Sequence, residues 1–136
     1  MPWTDDWIGL PYAIGGRGPR AFDCFGLVQA LYRARHGIDL AAPEERLADH
    51  RAALAVAERD WSPTLAEDVR EGDALVFRGL NPGALHVGYA VDGADMLHTG
   101  GRAGPGSPVP QASRVERWAR PAWRARLVGC WRPDAV

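Results

Sequence analysis

The sequence holds two cysteines and four histidines, the side chains best suited to act as nucleophile or base near neutral pH. Cys24 stands out by position. In Ala21-Phe22-Asp23-Cys24-Phe25-Gly26-Leu27-Val28 a glycine-rich loop gives way to a helical pattern, which puts the thiol in a first helical turn. About four backbone N–H groups at a helix start lack internal partners, and with the macrodipole they favour a thiolate. A nucleophile there needs a base and a group to hold the base. His86 and His98 flank a turn that can supply both. With a three-residue loop Val91-Asp92-Gly93 and Gly93 left-handed, Ala90 faces Ala94 and His86 faces His98, with Cβ atoms about 4.5–5.5 Å apart. A two-residue Asp92-Gly93 turn instead pairs Val87 with His98 and sends the histidines to opposite faces. In the first register the chain offers nucleophile, base and orienter. A thiolate beside an imidazolium has a pKa of roughly 3.5–7.5, so Cys24 is expected to be ionised near neutral pH.

Blander readings compete. Most free cysteines are small buried hydrophobes. Cys24, His86 and His98 also suit three zinc ligands with one open position, but no C-x-x-C or H-x-x-x-H pair accompanies them, and no metal is assigned. Cys130, beside Trp131, reads as packing and as a free thiol. His36, at a helix end, and His50, on a charged helix, read as structural or surface groups.

The elements that must position these groups follow from pattern and punctuation. Residues 3–9 suit a short helix with Thr4 as N-cap and Trp3, Trp7 and Ile8 turned inward. Gly15-Gly16-Arg17-Gly18-Pro19 breaks regular structure; it superficially resembles a phosphate loop but matches neither nucleotide fingerprint. From Asp23, the expected N-cap, apolar residues recur at helical spacing until Gly37. A second helix is expected over 43–57, opened by Pro43. Strands are expected over 74–77, 86–90, 95–98 and 127–131, with a weaker one over 109–115. A Gly- and Pro-rich loop over 99–110 is the candidate cleft wall. Helices first and strands second give an α+β fold, with the Cys24 helix packed on an antiparallel sheet.

Length and composition narrow the class. With 136 residues, one domain over 1–136 is expected. A formal charge of −1 points to no polyanionic partner, so nucleic acid is not expected. All sixteen basic residues are Arg, from which no function follows. The start, Met1-Pro2-Trp3-Thr4-Asp5-Asp6, shows no basic stretch followed by an apolar run, and no segment reaches the roughly 18 apolar residues of a membrane span. The expectation is a soluble chain made in the cytoplasm without a signal peptide, with no membrane partner.

Taken together, Leu10-Pro11-Tyr12 before glycines, Asp23-Cys24-Phe25-Gly26-Leu27-Val28, Glu71-Gly72-Asp73-Ala74-Leu75-Val76-Phe77, His86-Val87-Gly88-Tyr89 and Leu97-His98 resemble the NlpC-type cell-wall peptidases. The resemblance covers most of the chain in order and implies a papain-like α+β fold and a cysteine peptidase acting on a peptidoglycan stem peptide, without cofactor. It implies Cys24 as nucleophile, His86 as base and His98 as third member, Tyr12 near the thiol and Asp23 in substrate binding. Tyr12 could join the Cys24 N–H in stabilising an oxyanion, or be a core aromatic. Phe25 stands where many members carry a serine that helps hold the stem peptide, which leaves open whether the bond between γ-D-glutamate and diaminopimelate is the one cut. The closing Gly129-Cys130-Trp131-Arg132-Pro133 is most similar to the branch found in phage and gene-transfer tail modules, which implies other tail proteins as partners. A non-catalytic structural or peptide-binding tail module is the alternative, and acyl or amide transfer by the same thiol a third reading.

Overall fold

A computed structural model of the chain describes residues 2–13, 15–39, 61–79, 85–100 and 112–134. The helix expected over 43–57, with His50, lies outside the described residues, as does all but the start of the 99–110 loop.

Helix α1 spans Cys24–His36. Its ends are set by local chemistry. The Asp23 carboxylate accepts the Gly26 N–H at 2.6 Å, filling one of the unpaired donors of the first turn. At the other end Gly37 takes φ 66° and its N–H donates to Arg33, while Arg33, Arg35 and His36 complement the negative end of the dipole. Leu27, Val28, Leu31 and Tyr32 are buried along one stripe.

A six-stranded sheet receives that stripe, all its pairings antiparallel. Its strands are β1 (Trp61–Thr64), β2 (Ala74–Arg78), β3 (Leu85–Ala90), β4 (Asp95–His98), β5 (Arg114–Arg117) and β6 (Leu127–Pro133), in the order β1-β6-β2-β3-β4-β5. Alternation splits the core into two clusters. Tyr89 and Leu97, paired across β3 and β4, join Phe22 and the α1 stripe; Ala90 and Met96, the next pair, join Leu75, Phe77, Trp118 and Cys130. A short helix α2 (Pro121–Arg124), opened by proline at its first position, brings Trp123 against the second cluster.

Several expectations need correction. The N-terminal helix is a 3₁₀ helix, Trp3–Trp7, capped by Pro2 without a side-chain bond; Thr4 lies inside it and is buried, and Ile8 is exposed. The weak strand expected over 109–115 is described only from 112 on, where it begins at Arg114 and runs to Arg117, and β6 runs on to Pro133, which pairs with Trp61 of β1.

The β3–β4 register differs from both alternatives considered. Tyr89 pairs with Leu97 and Ala90 with Met96, so His98 falls opposite Gly88 and His86 is its diagonal neighbour. The turn lies one residue later than expected because the Asp92 carboxylate accepts the N–H groups of Ala94 and Asp95, at 2.8 and 2.7 Å. Gly93 is accordingly not among the residues with positive φ. A three-residue loop displaced by one position shifts the pairing by two, which preserves side-chain parity. The histidines therefore share a face.

Candidate active site

The loop before α1 fixes where the thiol sits. Asp23 N–H donates to the Gly16 carbonyl at 3.0 Å, and short bridges pair Phe22 with both Tyr12 and Arg17. A Cβ on Gly26 would come within 2.1 Å of the Gly16 carbonyl oxygen, so the loop seats directly on the first turn. Gly26 thus serves close packing between loop and helix.

α1 covers the sheet face that carries Val87, Tyr89 and Leu97. Its N-terminus meets β3 near that strand's start, where the Cys24 thiol comes within hydrogen-bonding reach of the backbone of Val87, the residue that follows His86 in the chain. Burial pushes the thiol pKa up; backbone hydrogen bonding from Val87 opposes it, Asp23 adds to it, and the Phe25 and Cys24 backbone groups oppose it further. The expectation of a resting thiolate is therefore corrected: desolvation outweighs the helix-start donors, and Cys24 rests as a thiol. Cys130 is a free, buried thiol of the second cluster, pushed up to about 11 by burial and Asp73.

His86 and His98 do meet. His86 Nε2 lies 2.8 Å from His98 Nδ1, the rings edge-to-face with centroids 5.0 Å apart. Diagonal neighbours lie about 7–8 Å apart, within reach for two imidazoles, and Gly88, opposite His98, adds no side chain where a Cβ would come within 2.8 Å of Met96 Sδ. Trp123 stacks on His86 at 5.7 Å and stands edge-on to His98 at 5.3 Å, and Phe77 lies 6.3 Å from His86. In this aromatic box burial lowers the pKa of His86 well below the usual imidazole value, with His98, Arg126 and Arg114 adding to it and Glu116 opposing. Burial lowers His98 also, against the Glu116 hydrogen bond that raises it. Both rings rest neutral.

His98 is fully buried and spends its other nitrogen on Glu116, with Nε2 2.8 Å from Oε2. Both of its ring nitrogens are thus engaged in hydrogen bonds. The hydrogen bond from His98, with Trp123 and Arg114, holds the Glu116 carboxyl down to about 2 against desolvation. Glu116 escapes a reading of sequence because Arg114-Val115-Glu116-Arg117 looks like a solvated edge strand. Only the β4–β5 register, with Met96 against Glu116 and His98 against Arg114, turns it inward.

The remaining candidates cluster at the helix start. The Tyr12 hydroxyl is pushed up by burial and then by the charges of Cys24 and Asp23, and a Cβ on Gly100 would come within 3.1 Å of its ring. Asp23 holds a bidentate contact with Arg17 Nη1 at 2.6 Å to each oxygen, and the Arg17 guanidinium lies 5.6 Å from the centroid of the Phe25 ring. His36 bonds the Tyr89 hydroxyl at 2.7 Å, a structural contact at the far end of α1.

Known proteins share this arrangement of sequence and fold. A probable endopeptidase of Haemophilus influenzae is 27% identical over 124 residues, covering 90% of this chain and 69% of the relative. The murein DD-endopeptidase MepS/murein LD-carboxypeptidase of Escherichia coli is 27% identical over 99 residues, covering 73% of this chain and 47% of the relative. Among solved structures, a Staphylococcus aureus protein described as similar to lipoprotein, NLP/P60 family, superposes with a TM-score of 0.62 at 26% identity, over 94% of this chain and 38% of that one. The α+β fold expected from the sequence, papain-like, is thus shared with solved members of one family. The model of that family matches residues 9–132, a span containing α1, the first five strands and all of β6 but its last residue, and the chain belongs to the NlpC/P60 family.

Proposed function

We propose that this protein is a cysteine peptidase that hydrolyses a peptide bond in the stem peptide of bacterial peptidoglycan. The observation that carries the reading is the hydrogen-bonded His86–His98 pair beside the strand position where the Cys24 thiol meets β3. Relatives named as a murein endopeptidase and as a probable endopeptidase support the substrate class.

In this reading His86 takes the Cys24 proton as the sulfur attacks the carbonyl carbon. The negative charge that develops on the carbonyl oxygen is met by the Cys24 N–H and the Tyr12 hydroxyl. The imidazolium then protonates the leaving amine, and the C–N bond breaks to give a thioester. Water, deprotonated by His86, attacks the thioester; the acid leaves and the thiol is restored. His98 occupies His86 Nε2 throughout, which leaves Nδ1 for proton traffic. Burial disfavours charge on both Cys24 and His86, so the thiol is activated by proton transfer during attack rather than as a standing ion pair.

Asp23 and Phe25 are assigned to the substrate-binding wall. Phe25, with the Arg17 guanidinium over it, gives this wall an aromatic and cationic surface in place of a hydroxyl. The bond between γ-D-glutamate and diaminopimelate is the cleavage we assign first. We also assign the protein to a phage-like tail module, on the resemblance at Gly129-Cys130-Trp131-Arg132-Pro133. Muropeptide release by wild type and by Cys24→Ala tests the function. We expect wild-type release to fall by at least about 10³-fold in the variant. Equal release by both would overturn the peptidase reading and leave a structural or peptide-binding module.

A further inference from the structure

Beyond the three residues assigned above, we infer that Glu116 is a positioning residue that sets the proton arrangement of both histidines and so makes His86 competent as a base. The inference rests on the proposed thiol chemistry of Cys24 and His86. It follows from hydrogen-bond bookkeeping along one line of atoms: Glu116 Oε2 to His98 Nε2 at 2.8 Å, and His98 Nδ1 to His86 Nε2 at 2.8 Å.

An ionised carboxylate accepts and cannot donate, so His98 must place its proton on Nε2. A neutral imidazole with its proton on Nε2 has a bare lone pair on Nδ1. That lone pair can only accept, so His86 must place its own proton on Nε2. His86 Nδ1 is then unprotonated, the condition a general base requires. Reverse the first step and every later one reverses: a donor at position 116 would put the His98 proton on Nδ1, leave His86 Nε2 as the acceptor, and move the His86 proton onto Nδ1. The base would be blocked without any movement of heavy atoms.

The surroundings favour the first arrangement. His98 is fully buried between its two partners, so no water replaces a missing contact. Glu116 is itself held from β5 and α2, by Arg114 Nε at 3.7 Å and by a hydrogen bond from the Trp123 side chain. Arg114 and Arg126 are the cations that face His86, and both disfavour an imidazolium there; among the described residues Glu116 is the anion that opposes them.

The test uses two variants with the whole chain. Glu116→Gln removes the charge and leaves an amide that can accept through Oε1 or donate through Nε2; Glu116→Leu removes the acceptor. Long-range proton–nitrogen spectra of the imidazoles report the tautomers directly, whether or not a substrate has been found. We expect wild-type His86 and His98 both protonated on Nε2, and His86 shifting toward the Nδ1-protonated form in Glu116→Leu. With muropeptide, kcat should fall about 10²-fold in Glu116→Leu and about tenfold in Glu116→Gln, with KM within about twofold. A residue that merely supports the fold would lower melting temperature without this ordering. A wild-type His86 protonated on Nδ1, or a folded Glu116→Leu with wild-type tautomers and wild-type kcat, overturns the inference. If Glu116→Leu does not fold, the wild-type spectra decide it, since a His86 protonated on Nδ1 there overturns the inference. If the wild type releases no muropeptide, the peptidase reading falls, while the spectra still decide the role of Glu116.

Discussion

Cys24 illustrates two opposing influences on one side chain. The helix-start amides stabilise a thiolate, and that is the part a sequence displays; burial against β3 destabilises it more, and that depends on what the fold places over the sulfur. The consequence is measurable. Alkylation of Cys24 by iodoacetamide, followed by peptide mapping to separate it from Cys130, should rise with pH through a midpoint above the ordinary cysteine value of about 8.5. A midpoint in the range of roughly 3.5–7.5 would mean a standing thiolate and would restore the ion-pair mechanism. The neutral resting state also makes the His86 tautomer decisive, because the proton must be accepted during attack rather than beforehand.

Between the glycine loop and α1 the chemistry depends on one close approach. Gly26→Ala would drive a methyl group into the Gly16 carbonyl, 2.1 Å from the ideal Cβ, and backbone on both sides cannot yield as a flexible side chain would. We expect a loss of about 1–3 kcal/mol in urea denaturation, with activity reduced beyond what the remaining folded fraction explains, since the loop carries Tyr12 and Arg17. Wild-type stability in this variant would show that the loop does not rest on the helix as described. The helix itself was legible in sequence because its signals are local: Asp23 caps, Gly37 stops, and the apolar spacing between them is helical. The hairpin was legible only in parity. Asp92-Gly93 announced a turn, but the hydrogen bonds from Ala94 and Asp95 to the Asp92 carboxylate decide which three residues form it. A shift of two kept both histidines on one face, while a shift of one would have separated them. Glu116 and Trp123 were not legible, because what makes them part of the site is strand order and the placement of a four-residue helix.

Over the whole molecule, the same burial that prepares the site makes the fold sensitive to acid. His86 and His98 have folded pKa values below the unfolded value of about 6.5, so above that pH neither state binds protons at these rings and their contribution is complete. Below it the unfolded chain takes up protons that the folded chain refuses, and stability falls as pH drops toward the folded values. The limiting slope is about 1.4 kcal/mol per pH unit for each ring. Glu116, held down to about 2, adds a second loss that begins only below about 4.5 and continues toward that value. We therefore expect urea midpoints that are level from pH 8 to 7, fall between pH 6 and 5, and steepen again below 4.5. His98→Asn should lower the midpoint at pH 8 but flatten the decline between pH 6 and 5, because one of the two titrating rings is gone. Midpoints that stay level from pH 7 to 5 in the wild type would mean that the rings accept protons in place, and that the aromatic box around them is more open to water than its packing indicates.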